Sequence, residues 1–195
     1  MTTLDLTASK AGLRRRLRAA LKAATPEARR AGSLAACDLL RCQSVWRDAR
    51  NVLLYSPIPG ELDISPLINE ALAAGKTVAL PAFVAGSGVY DAFVIRHLTD
   101  DCAPGKFAIA EPKRSCPRLD LNRLDFTLVP GVGFDLTGHR LGRGQGFYDR
   151  LLANIAGTKC GVAFDFQVVE RLPAETHDVR MNFILTPSRC LRLSP

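Results

Sequence analysis

The chain has 195 residues, of which 47% are apolar, 23% charged and 7% aromatic, values close to those of ordinary globular proteins, at a length that usually makes one domain. This excludes collagen-like, disordered and disulfide-scaffold chains, since a protein of this size can bury about 70% of its unfolded surface without a covalent staple. The net charge of +7 lies wholly in residues 1–50, where eleven Lys and Arg face four acids while the rest of the chain balances, which points to an anionic ligand met near the N-terminus.

In chain order, residues 8–23 predict a basic amphipathic helix. Leu13, Leu17 and Leu21 recur four apart on one face and Lys10, Arg14 and Arg18 four apart on another, so three cations share a direction. A second helix is predicted from Thr25, whose hydroxyl can cap while Pro26 takes the first helical position and Glu27 suits the dipole, and it runs to about Leu40. Val52 to Tyr55 is then an apolar strand closed by Ser56-Pro57-Ile58-Pro59-Gly60, and a helix follows near 64–74. Thr77 to Leu80 predicts a strand that stops at Pro81, and Val89 to Ile95 another. Phe126 to Val129, Lys159 to Phe164 and Phe183 to Thr186 complete the set. Strands alternating with helices predict an α/β layer fold. In such folds ligands gather beyond the carboxyl ends of the strands, so 56–63 and 131–149 should converge there.

No apolar run approaches the roughly 20 residues that span a bilayer, and residues 1–10 lack the apolar stretch of a signal peptide, so a cytoplasmic protein without a membrane partner is expected. The six cysteines, at 37, 42, 102, 116, 160 and 190, contain no C-x-x-C pair and the three histidines complete no zinc spacing; reduced, partly buried thiols are expected. The basic quarter lacks interleaved aromatics, and no helix-turn-helix, zinc-finger or RNA-binding signature occurs, so nucleic acid is not the expected partner.

The segment richest in chemistry reads Pro130-Gly-Val-Gly-Phe-Asp-Leu-Thr-Gly-His-Arg-Leu-Gly-Arg-Gly-Gln-Gly-Phe-Tyr-Asp149. Gly142, Gly144 and Gly146 alternate with Arg143 and Gln145, and Tyr148, Leu151, Leu152 and Ile155 then recur at helical spacing. A glycine loop feeding a helix N-terminus offers amide hydrogens to phosphate, and Arg140 and Arg143 add forked donors. The spacing is neither that of a Walker A loop nor G-x-G-x-x-G. A tight turn needing positive φ is the plain alternative for the glycines, as first-turn stabilisation of a helix is for Asp149; with phosphate bound, that carboxylate could hold magnesium. Glu61 and Asp63, beyond a strand end, and the His177-Asp178 pair in a Pro-led turn are further candidates, for which surface exposure and local capping are the plainer readings.

These residues resemble the signature of the 5-formyltetrahydrofolate cyclo-ligase family, also called 5,10-methenyltetrahydrofolate synthetases. The resemblance extends along the chain: Lys10-x-x-x-Arg14 is similar to the family's nucleotide-contacting helix, Tyr55 to Asp63 to its formyl-folate loop, and Gly105 to Pro112 to its middle loop. Val162-Ala-Phe, Gln167, Leu172-Pro173, His177-Asp178 and Ile184-Leu-Thr fit its last third. Gln145, where Lys or Gly is common, Phe147, where Tyr is common, and Met181-Asn182 depart from the pattern.

The resemblance implies a three-layer α/β/α sandwich with a mainly parallel or mixed central sheet, residues 1–195 forming one domain whose basic helical part is 1–50 and whose α/β core is 51–195. It implies ATP as co-substrate, Mg2+, and a monomer acting on 5-formyltetrahydrofolate with or without a polyglutamate tail. Lys10, Arg14, Arg140, Gly142, Arg143, Gly144, Gln145, Gly146 and Tyr148 would contact ATP, and Asp149 and Asp178 the metal. Ser56, Glu61, Phe107, Arg143 and Phe147 would line the folate site, and Arg140, Arg143 and Glu61 would serve the chemistry, with a simple hydrogen bond to the pterin as the other reading of Glu61. Arg15, Arg16 and Arg18 would meet the polyglutamate tail or only water. Three alternatives stay open on sequence alone: a paralogue with the same ATP site and another small substrate, a folate-binding protein without turnover, and a nucleic-acid-binding or regulatory module using the basic helix.

Overall fold

The computed structural model describes residues 3–105, 109–175 and 178–194, with side chains from residue 9 onward. Helix α1 spans Thr3–Ala23, α2 Pro26–Arg41 and α3 Ser44–Arg47, followed by strand β1 Asn51–Leu53 and helix α4 Ser65–Ala73. Strands β2 Thr77–Val84, β3 Val89–Ile95, β4 Cys102–Pro104, β5 Ala110–Pro112, β6 Phe126–Pro130, β7 Gly133–Asp135 and β8 Arg140–Leu141 lead to helix α5 Phe147–Leu152. Strands β9 Thr158–Val162, β10 Val168–Val169, β11 Phe183–Leu185 and β12 Cys190–Arg192 close the chain.

The main sheet has the order β12-β11-β9-β6-β1-β2-β3. Its inner pairs are parallel, and the β11–β12 and β2–β3 pairs at its two edges are antiparallel. Apolar residues fill both faces, as a sheet covered on both sides requires. Val52, Val78, Leu80 and Leu128 face α2, α3 and α4, whereas Leu53, Ala79 and Val129 face α5 and the small sheet β10-β7-β8. The architecture is thus an α/β/α sandwich. Phe126 and Phe134, both fully enclosed on opposite sides of the sheet, each contribute about 2–3 kcal/mol by burial.

The Thr25 hydroxyl accepts from the Ala28 amide at 3.1 Å and Pro26 opens α2, as the sequence signals. The apolar stripe of α1 is real: Leu17 is buried with Val132, Leu141 and Leu172, and Leu13 packs against the same cluster. Three expectations need correction. Strand β2 does not stop at Pro81 but runs on to Val84. Odd-numbered residues of β2 turn their backbone toward β1, as the Leu54 amide on the Ala79 carbonyl shows, so the missing Pro81 amide hydrogen faces a side where β1 has ended and no ladder bond is lost. Strand β9 closes at Val162 rather than Phe164, and α5 ends at Leu152, leaving the buried Ile155 beyond the helix.

The glycine-rich stretch is the third correction, because its first half is a hairpin. Strands β7 and β8 pair Gly133 with Leu141 and Phe134 with Arg140. The fully buried Asp135 builds the turn: its Oδ1 accepts from the Thr137 amide, the Thr137 hydroxyl and the His139 amide, and its Oδ2 from the Leu172 amide at 2.8 Å. Burial opposes ionisation of Asp135, but these donors outweigh it and hold its pKa below the usual value.

Candidate active site

A cleft of about 370 Å³ opens where β1, β2 and β6 deliver their carboxyl ends. Tyr55 and Ser56 follow β1, Pro81 lies in β2, Pro130 ends β6 and Gly131 follows it, each lining the cleft. Helix α1 contributes Lys10 and Arg14 to one wall, and residues 142–149 form another. Beyond-the-strand loops meeting at one end of a parallel sheet are the usual origin of such a site.

The described residues to which the resemblance assigns ATP, the metal or the folate ring all line this cleft: Lys10, Arg14, Ser56, Glu61, Arg140, Gly142, Arg143, Gly144, Gln145, Gly146, Phe147, Tyr148, Asp149 and Asp178. Phe107 and His177 lie outside the described residues. The Glu61 and Asp63 pair divides, since Asp63 is exposed and its Oδ1 accepts from the Ser65 amide at the start of α4. The three cations of α1 divide too: Arg18 is exposed and does not line the cleft.

Four cations are held by hydrogen bonds, three of them to groups distant in sequence. Lys10 Nζ donates to Glu175 Oε1 at 2.9 Å and to Asp178 Oδ2 at 3.3 Å. Arg14 Nε donates to the Gly142 carbonyl at 2.9 Å. Arg140 Nη2 donates to Asp149 Oδ1 at 2.7 Å, and its guanidinium lies 5.5 Å from the centre of the Tyr148 ring. Arg143 Nη2 donates to Glu61 Oε1 at 3.1 Å. Arg140 Nε is buried and has no hydrogen-bond partner among the described residues.

Burial raises the Glu61 carboxyl above its ordinary pKa, with Arg143 and the Ile58 amide opposing that rise. Tyr148 is pushed up mainly by burial and then by Glu61. Tyr55 is also driven up by burial, and its hydroxyl donates to the Leu62 carbonyl at 2.8 Å, fixing the loop that presents Ser56 and Glu61. On the other wall Phe147 stands edge-to-face against Phe83 and Tyr90, each with ring centres 5.5 Å away. The cleft therefore pairs a cationic wall with an aromatic one.

The second half of the glycine stretch is the open loop the sequence predicts. Gly144 at φ +104° and Gly146 at φ +64° occupy left-handed backbone, and the Arg14 guanidinium lies 3.7 Å from where a side chain at Gly144 would begin. Helix α5 has only six residues, so its summed dipole is small and positive charge in the cleft comes chiefly from the side chains. Sequence reasoning missed Tyr90, Glu111 and Glu175, which also line the cleft. Tyr90 sits in a strand with no motif around it, Glu111 lies in the Gly105 to Pro112 stretch of which only Phe107 was given a role, and the only signal for Glu175 was the Pro-led turn that also holds Asp178.

Asp149 and Asp178 each engage their cation through a single oxygen. Two hard carboxylates in one cleft suit a magnesium ion that completes its shell with phosphate oxygens and water. Among the described residues no three Asp, Glu, His or Cys side chains gather as an all-protein metal cage would need. None of the described helices is long and apolar enough to cross a membrane.

A profile of the 5-formyltetrahydrofolate cyclo-ligase family matches residues 6–187. The chain belongs to this family. A curated cyclo-ligase of this family, the 5-formyltetrahydrofolate cyclo-ligase of Escherichia coli (strain K12), is 39% identical over 145 residues, covering 72% of this chain and 80% of its own. The 5-formyltetrahydrofolate cyclo-ligase of Mus musculus is 24% identical over 95% of this chain and 97% of its own. The NMR structure of Aquifex aeolicus 5,10-methenyltetrahydrofolate synthetase superposes with a TM-score of 0.85 at 36% identity, covering 95% of this chain and 93% of that one.

Proposed function

We propose that this protein converts 5-formyltetrahydrofolate to 5,10-methenyltetrahydrofolate with consumption of ATP and release of ADP and phosphate. The observation that carries the reading is the meeting, in one cleft at the carboxyl ends of the sheet, of four cations, two paired carboxylates and an aromatic wall. A polyphosphate needs the first two and a fused heterocycle the third. The family membership of the chain supports the same substrate class.

Lys10, Arg14, Arg140 and Arg143 would bind the triphosphate, with the bare backbone of Gly142, Gly144 and Gly146 allowing close approach. Asp149 and Asp178 would hold magnesium, which supplies charge neutralisation on phosphate oxygens when bound. The folate would lie against Phe147 with Ser56 and Glu61 at its polar edge. The formyl oxygen attacks the γ-phosphorus as the bond to ADP breaks, giving an imidate phosphate. N10 then adds to the formyl carbon and loses its proton, and the carbon–oxygen bond breaks to expel phosphate. Such a transfer asks the protein mainly for alignment and for stabilisation of spreading negative charge, which Arg140 and Arg143 are placed to give. No covalent nucleophile is required.

The test is absorbance on mixing the protein with 5-formyltetrahydrofolate, ATP and magnesium, against a cuvette lacking ATP. ATP-dependent growth of the methenyl band is the expected result. Absence of the band with intact ATP and folded protein overturns the substrate assignment.

A further inference from the structure

Glu111, in β5, lines the cleft beside Tyr90 and is 7% exposed. Its two carboxyl oxygens are treated differently by the fold. Oε2 accepts from the Phe83 amide at 3.1 Å, docking β5 on β2. Oε1 is buried and has no hydrogen-bond partner among the described residues. The Tyr90 phenol, pushed up to about 12 by burial, by the charge of Glu111 and by hydrogen bonding to that carboxyl group, stays protonated beside it, and Oε1 still lacks a partner of good geometry among the described residues. Gly105 closes another side: a Cβ there would fall 2.5 Å from the Glu111 carboxyl carbon. A buried acceptor left unmade is costly and is seldom retained without a partner in some state of the protein. Phe83 and Gly105 occupy two sides of the carboxyl, and Glu111 is among the residues that line the cleft.

We propose that Glu111 Oε1 is the acceptor that recognises an N–H or amino group on the substrate's heterocycle. The neighbouring chemistry fits that occupant. Tyr90 and Phe147, edge-to-face at 5.5 Å, both line the cleft and offer aromatic surface for a ring. Both oxygens of Glu61 are already engaged, by Arg143 at 3.1 Å and the Ile58 amide at 3.4 Å. A phosphate oxygen carries no donor and would be repelled by an ionised carboxylate, so Glu111 suits the heterocycle rather than the polyphosphate. This inference rests on the folate reading above and adds the group that selects the ring.

The experiment compares wild type, Glu111→Gln and Glu111→Ala by calorimetric binding of 5-formyltetrahydrofolate, with KM for ATP and melting temperature measured alongside. Glu111→Gln can keep the Phe83 contact through its amide oxygen while presenting a donor in place of the acceptor. The expected result is folate affinity about 10- to 100-fold weaker in Glu111→Gln, with KM for ATP and melting temperature near wild type. Glu111→Ala should lose similar folate affinity and also melt lower. Wild-type folate affinity in Glu111→Gln overturns the inference, as does an equal loss toward folate and ATP, which a structural role alone would give. If wild type binds ATP but not 5-formyltetrahydrofolate, the folate reading itself fails, and that outcome is distinct from failure of Glu111 alone.

Discussion

Arg14 on α1 donates from Nε to the Gly142 carbonyl at 2.9 Å, fastening the first helix to the loop that follows the β7–β8 hairpin. The contact leaves the rest of the guanidinium for an anion, beside Gly144, whose φ of +104° reserves that position for a residue without a side chain. Arg14→Ala is therefore expected to weaken ATP binding about 10- to 100-fold, the usual loss for a charged hydrogen-bond donor, with a much smaller effect on KM for folate. Calorimetric titration with ATP checks this, and unchanged affinity would remove α1 from the nucleotide site.

Asp149 accepts from Arg140, whose side chain is only 5% exposed. Asp149→Asn keeps an acceptor but leaves that guanidinium without its counter-charge. The variant should lose about 1–3 kcal/mol of stability, at the lower end because Asp149 itself is partly open to solvent. Turnover should fall by about 100-fold or more, the scale of losing a positioned charge at a reacting centre. Urea unfolding and a magnesium titration of kcat give the two readouts.

Glu61 carries a pH signature. Burial raises its pKa in the folded protein above the value in the unfolded chain, against the pull of Arg143. The unfolded carboxyl thus ionises first as pH rises, and the stability contributed by the protonated side chain is present below the unfolded pKa and lost as pH passes through the raised one. Glu61→Gln should remove that loss. It is expected to melt above wild type at pH 8 and level with it at pH 4, in thermal scans at fixed ionic strength, although it should be a poorer enzyme.

Gly161, in the middle of β9, lies under the enclosed Phe134 ring of β7; a Cβ at this position would sit inside van der Waals contact with that ring. Gly161→Ala must shift either the sheet or the ring, and close packing leaves little room for either. A loss of about 1–3 kcal/mol is expected in urea unfolding. No change would mean that the hairpin rides loosely on the main sheet.

Much of the fold was legible because local signals agreed with the final packing. The Thr25 cap with Pro26, the leucine stripe of α1 and the β-branched runs ending in loops all correspond to elements, since each buries the face its periodicity marks. The short strands escaped. β7, β8 and β10 are two or three residues long, too short to show an alternating pattern, and Asp135 secures them by gathering amides from its own turn and from Leu172, 37 positions on.

The same division runs through the site. Sequence alone marked the glycines, arginines and Asp149 of residues 140–149 as one set, because they stand at short spacing in one stretch, and that stretch lines the cleft. Tertiary structure decided the partners: Lys10 against Glu175 and Asp178, Arg143 against Glu61, and the burial of Glu111 with one oxygen unpaired. Those pairings span most of the chain, and no local pattern encodes them. They arise only when the carboxyl ends of β1, β2 and β6 meet and exclude water, which is the step that turns scattered charges into a site with defined electrostatics.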